Sequence, residues 1–192
     1  MLTDLPPLRH PLSAEFLRSD RLRILEVPHD ARLREPAKSI ALAIESGQSA
    51  PVRQACTEFL TAAAEFYQVR PPQVRVLAAR PIHGRETGWA SELFGDYDPK
   101  TALIRVWMRT AVRKQVTSFG TFLSTLCHEF CHHLDCERLG FRDTPHTRGF
   151  YERVAVLYHH ARGTPPKRLF WVPLRGGRWR VDWSRMNRTG EE

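Results

Sequence analysis

The chain has 192 residues, 42% of them hydrophobic and 26% charged, a balance that suits one folded domain with its own core. No run approaches the roughly 20 uninterrupted apolar residues of a membrane span, and residues 1–11 are Pro-rich and polar without the apolar stretch of a signal peptide. No membrane-spanning helix is expected, and a cytoplasmic location is. The formal net charge is +8, and from Ala161 onward eight Lys and Arg face three acids, which makes a polyanionic partner a candidate.

Residues 1–30 carry turn formers and no clean period, so they read as an N-terminal extension. Residues 31–45 predict a weak helix that Gly47 ends. Residues 52–68 predict a better one, with Ala55, Phe59, Ala62, Ala63 and Phe66 at helical spacing and Pro71-Pro72 as the stop. Strand alternation follows over 73–79. Two β-prone runs, 89–94 and 101–108, flank a Gly/Asp/Pro segment over 95–100 and predict a hairpin.

The clearest helix covers 118–139, where Phe119, Phe122, Leu123, Leu126, Phe130 and Leu134 keep one apolar face and Gly140 supplies a stop. Thr144 then reads as an N-cap, with Pro145 and His146 in the first turn of a helix that runs to about Arg162. In the tail, 169–174 and 178–183 around Arg175-Gly176-Gly177 predict a second hairpin. Cys127, Cys131 and Cys136 crowd one helix and Cys56 stands apart, a poor geometry for disulfides, so all four are expected as packing thiols. The sum is an α+β fold: a small, mostly antiparallel sheet packed on helices, with a domain over 31–163 and a basic Trp-bearing hairpin over 164–192.

Chemistry concentrates in His128-Glu129-Phe130-Cys131-His132. Two histidines four apart on a helix differ by about 40° around its axis, so their imidazoles converge on one ion. Zinc takes neutral imidazole nitrogens and, in catalytic sites, keeps one position open for water. Glu129 flanks that position and can move the water's proton to a leaving amine. The polar face beside the histidines holds Thr121, Ser124, Thr125 and Asp135. A third ligand is needed. His146 is the first choice, Asp135 and Glu152 are rivals, and Asp135 is also a candidate for orienting an imidazole. His133 points away and reads as structural or exposed. Tyr151 is a candidate oxyanion stabiliser by proximity alone.

The runs H-E-F-C-H-H-L-D and H-T-R-G-F-Y-E-R resemble the SprT-like zinc metallopeptidases, the broad group that includes Spartan and the WLM proteases. The resemblance spans roughly residues 52–162. It implies zinc on His128, His132 and His146, an acid/base role for Glu129, and a minimal gluzincin-like (zincin-like) core in which an edge strand within 101–108 binds extended protein or peptide substrate. Many members end in a four-cysteine zinc ribbon, which this chain lacks after Cys136. Its basic hairpin with Trp171, Trp179 and Trp183 stands there instead. Spartan-type members cleave DNA-crosslinked proteins, so the tail is a candidate DNA contact, against packing of its tryptophans on the domain. Two other functions stay open: a nucleic-acid-binding or regulatory protein with a structural or vestigial metal site, and a maturation factor that cleaves one dedicated partner.

Overall fold

Local residue chemistry accounts for most element boundaries in the computed structural model, which describes residues 1–10, 12–79, 82–84, 90–92 and 94–188, with backbone alone at 82–84, 90–92, 187 and 188. The first thirty residues are not without regular structure. Helix α1 (Leu12–Arg21) lies among them and buries Phe16 and Ser19. Its ten residues are too few for a period to stand out from the flanking prolines, and tertiary contacts hold it.

Helices α2 (Arg34–Glu45) and α3 (Ser49–Tyr67) follow, with Gly47 between them at φ +67°. Helix α3 starts ahead of the expected residue because Pro51 falls in its first turn, where a missing N–H breaks no intrahelical bond.

Strand β1 (Gln73–Ala79) lies where alternation places it, and β2 (Ile82–Gly84) pairs antiparallel with β3 (Ala90–Glu92). The predicted hairpin is shifted. Residues expected as its turn form β4 (Gly95–Asp98), and the turn comes just after it, before β5 (Leu103–Arg109). There the Asp98 carboxylate accepts from the Lys100 N–H and the Thr101 hydroxyl. Turn-like composition misleads at 95–98 because cross-strand pairing outweighs it: Arg105 donates twice to Asp96 across the ladder, and the Tyr97 ring packs against His133. Trp89 and Leu93, part of the expected first strand, lie outside the described residues.

The main sheet has the order β1-β5-β4, with β5 parallel to β1 and antiparallel to β4, so it is mixed rather than mostly antiparallel. The strand in 101–108 that was expected at the edge is therefore the central one. The outer strand beside the histidine helix is β4.

Helix α4 (Phe119–Leu134) is capped by Ser118, whose Oγ accepts from the Thr121 N–H. Its apolar face joins Ile104 and Val106 of β5 and Phe59 and Leu60 of α3 in the core, while the histidine face turns away from them. A π-turn, Asp135–Leu139, prolongs α4, and Gly140 ends it at φ +69°. Helix α5 (Arg148–Arg162) is capped by Thr147 and not Thr144: the Thr147 Oγ1 accepts from the Phe150 N–H at 3.0 Å. His146 thus sits in the loop just before the helix rather than in its first turn. The tail forms β6 (Trp171–Pro173), β7 (Trp179–Val181) and α6 (Trp183–Arg188). Residues 1–4 lie along β7, with Leu2 bridged to Arg180 and Thr3 buried. The protein is α+β, and none of its described helices is long and apolar enough to cross a membrane.

Helix α1 crosses α5 at Gly149, where a Cβ would meet the Ser19 carbonyl at 2.0 Å and that of Leu22 at 2.6 Å. Backbone cannot yield there as a flexible side chain can. Gly149→Ala is expected to lower the unfolding free energy by about 2–3 kcal/mol in urea melts. A loss below about 0.5 kcal/mol, the range of surface substitutions, would show that α1 slides aside freely.

Candidate metal centre

The spacing of α4 and the loop before α5 bring three imidazoles together. His128 Nε2 lies 3.0 Å from His146 Nε2 and 3.1 Å from His132 Nε2, and the third side of the triangle is 3.2 Å. Among the described residues this is the group of His, Cys, Asp and Glu side chains close enough to share an ion. Zinc–nitrogen bonds near 2.0–2.1 Å at tetrahedral angles set ligand nitrogens about 3.3 Å apart, close to the edges seen here.

Proton positions follow from the partners. The Asp135 carboxylate accepts from the Thr144 hydroxyl at 3.2 Å, so the Thr144 oxygen, 2.6 Å from His132 Nδ1, accepts the proton on that nitrogen. His132 Nε2 then carries a lone pair. His146 Nδ1 faces the Asp4 carboxylate at 3.3 Å, and the same carboxylate accepts from the His146 backbone N–H at 2.8 Å. Its Nε2 lone pair points the same way. Facing lone pairs at such distances repel unless a cation lies among them, so the donor set fits a transition metal that accepts imidazole. Burial, then the neighbouring His146, pushes His128 down to about 3, and burial, then the neighbouring His128, holds His132 well below the usual imidazole value. Both rings are neutral, the form that binds metal.

The rival ligands are engaged elsewhere. Asp135 makes a fully buried pair with Arg153 at 2.8 Å and reaches the imidazole triangle only through Thr144. Glu152 accepts from the Trp171 indole at 2.9 Å. His133 is buried: its Nε2–H donates to the Arg70 carbonyl at 2.7 Å, and its Nδ1 accepts from Tyr97. That locks α4 to β4 and leaves it no part in the triangle. All four cysteines are free thiols, and Cys56, Cys127 and Cys131 are buried as packing residues.

Glu129, 5% exposed, lies on the floor of a groove of about 1200 Å³ together with His128, Gly95 and Tyr151. Burial, then the Asp96 carboxylate, pushes its carboxyl up to about 8. A dication in the triangle opposes both influences. Strand β4 passes so near that a Cβ on Gly95 would sit 2.9 Å from Glu129 Oε1. Phe150 stacks on His132 with centroids 4.4 Å apart, and Tyr151 stacks on His146. The Tyr151 hydroxyl donates to the Leu2 carbonyl at 3.0 Å, so it is turned to the N-terminal residues and not held ready as an oxyanion donor.

Two supporting residues escape a reading of the sequence, and a third is read in another role. Asp4 lies 142 positions from His146, with no local signal to link them. Asp20 anchors α1 by accepting from the Arg148 N–H and guanidinium, and it too is remote. Thr144 was visible, but as a cap. Its φ of +37°, unusual for a β-branched residue, marks a constrained loop. Thr144→Val is expected to weaken metal binding about tenfold or more in competition with a chelating dye, since the His132 ring loses its orienting acceptor. Unchanged affinity would remove Thr144 from the centre.

In the tail, Trp171 bonds Glu152, Arg148 lies 4.2 Å over the Trp179 ring, and Trp183 lines the groove. Two of the three tryptophans thus pack on the domain. No family model matches the chain, and neither does any curated protein or solved structure, which leaves the chemistry of these residues as the ground for its function.

Proposed function

We propose that this protein is a zinc metallopeptidase, with His128, His132 and His146 as ligands, Glu129 as the general base, and a minimal zincin-like core over 31–163 that the flanking segments wrap. The observation that carries it is the triangle of Nε2 atoms opening beside a buried carboxyl on a groove floor. Three protein ligands with a side open to a groove are the mark of a catalytic rather than a closed structural site. When bound, the ion supplies the Lewis acidity that activates a water and polarises a carbonyl oxygen. Glu129 takes the proton from the water as its oxygen joins the carbonyl carbon, then gives it to the departing amine nitrogen as the C–N bond breaks. Phe150 and Tyr151 shield the imidazole flanks. The outer strand β4 gives an extended substrate a backbone to pair with next to Glu129.

Metal content by mass spectrometry tests this reading. Wild type is expected to carry one zinc per chain, and His128→Ala and His146→Ala to carry none. Metal retained in His146→Ala would move the third ligand elsewhere, and a metal-free fresh wild type would overturn the reading. A DNA contact, on this view, rests on the tail's arginines. Deletion of residues 165–192 abolishes oligonucleotide binding if they carry it.

A further inference from the structure

The groove continues well past Glu129. It runs along the seam between the N-terminal half of α4 and the outer face of α5, and the tail closes its far side with Lys167, Leu169 and Trp183. Its character changes along that path. Near its walls stand large apolar side chains held open to solvent, Phe94 at 42% exposed and Trp183 at 47%. At the far end the groove is cationic, lined by Arg162 and Lys167 with His159 beside them. Glu129 is the one acid among the described lining residues, and no described carboxylate forms an ion pair with Arg162 or Lys167. The Arg162 guanidinium is steadied by a hydrogen bond to the Tyr158 hydroxyl, and both sit over Gly120, where a Cβ would approach each at 3.2 Å.

The spacing is informative. Gly120 precedes His128 by eight residues on α4, about 12 Å along a helix axis. An extended chain covers that length in about four residues. A polypeptide lying in the groove with its scissile bond at Glu129 therefore brings a side chain some three to four residues away to Arg162 and Lys167.

We propose that this groove selects polypeptide substrates carrying an apolar residue near the cleaved bond and an acidic side chain three to four residues from it, with Arg162 and Lys167 as the specificity-determining residues. The proposal rests on the peptidase reading for the position of the cut. The charge match itself belongs to the groove. An acidic polypeptide is favoured over nucleic acid because the cationic end is continuous with apolar walls and the hydrolytic centre.

Two measurements separate the outcomes. The first uses zinc-loaded Glu129→Gln and fluorescein-labelled short peptides, identical except for Glu, Gln or Lys at each position on either side of an apolar residue. It reads binding at low salt by anisotropy and requires no hydrolysis. The Glu peptide is expected to bind about fivefold to tenfold more tightly than the Lys peptide at one position three or four residues out, the scale of two exposed ion pairs. In the R162E/K167E background, both substitutions being at exposed positions, the order is expected to reverse. Equal binding of the three peptides at every position, or an order unchanged by the double substitution, overturns the proposal. So does displacement of the peptide by a single-stranded oligonucleotide whose own binding depends on Arg162 and Lys167. The second measurement is kcat/KM of the wild type on the same peptides, which is expected to follow the same order. Charge-dependent binding with no cleavage of any peptide would sink the peptidase reading and leave the acidic-segment site standing. Cleavage with no charge preference would do the reverse.

Discussion

Glu129→Gln is expected to keep one zinc per chain and to lower kcat/KM toward peptides by about 10³-fold, within the range that general-base catalysis supplies. Glutamine matches glutamate in shape, so the floor of the groove and the close approach of Gly95 stay as they are. What goes is the group that receives the water's proton. The imidazole triangle does not include Glu129, and metal binding should survive the change. Loss of metal together with activity would mean a structural carboxyl. Activity within about threefold of wild type would mean that another group moves the proton, and no other acid lines the described part of the groove. Metal kept and activity lost is the pair of results that a structural or vestigial metal site does not give, because such a site has no turnover to lose.

The histidine helix was readable because its signal is local. A 3.6-residue period sorts Phe122, Leu126 and Phe130 from His128 and His132 without knowledge of the rest of the chain. The third imidazole was readable through the short connection that folds α5 back on α4, although its place just before the helix depended on which threonine caps. Elsewhere, long-range pairing decides. Gly95-Asp96-Tyr97-Asp98 has the composition of a turn, yet Arg105 and His133, both distant in sequence, make it a strand. With that shift, the outer strand beside the histidine helix becomes β4, and the sheet becomes mixed. Asp4 and Asp20 act across more than a hundred residues on the loop and helix they anchor, and neither sits in any periodic pattern. The first thirty residues thus read as an extension without a clean period in sequence and clamp the histidine loop and α5 in structure.

Beneath the imidazole triangle the Asp135–Arg153 pair should make an unequal pair of variants. Arg153 is 1% exposed, and it also donates to the carbonyls of Ser19 and Leu22, so it ties α1 to α5 as well as to Asp135. In Asp135→Asn the guanidinium keeps its charge, because arginine does not give up its proton in proteins, and a buried cation is left without its anion. The expected loss is about 3–5 kcal/mol in denaturant melts near pH 7. Arg153→Met differs because a carboxyl can take up a proton. Burial already pushes Asp135 up to about 6 against the pull of Arg153, and removing the guanidinium raises it further. The folded variant then holds a proton that the unfolded chain has released above about pH 4, so its stability falls as pH rises through the window above that value. Arg153→Met should therefore be the milder change at pH 5 and approach Asp135→Asn by pH 8, with a slope of at most about 1.4 kcal/mol per pH unit. A flat profile for Arg153→Met would show that Asp135 stays ionised without its partner. Metal affinity should follow a different order. Asparagine keeps an oxygen that accepts from Thr144, so Asp135→Asn should loosen the His132 ring less than Thr144→Val does, although it destabilises the fold far more.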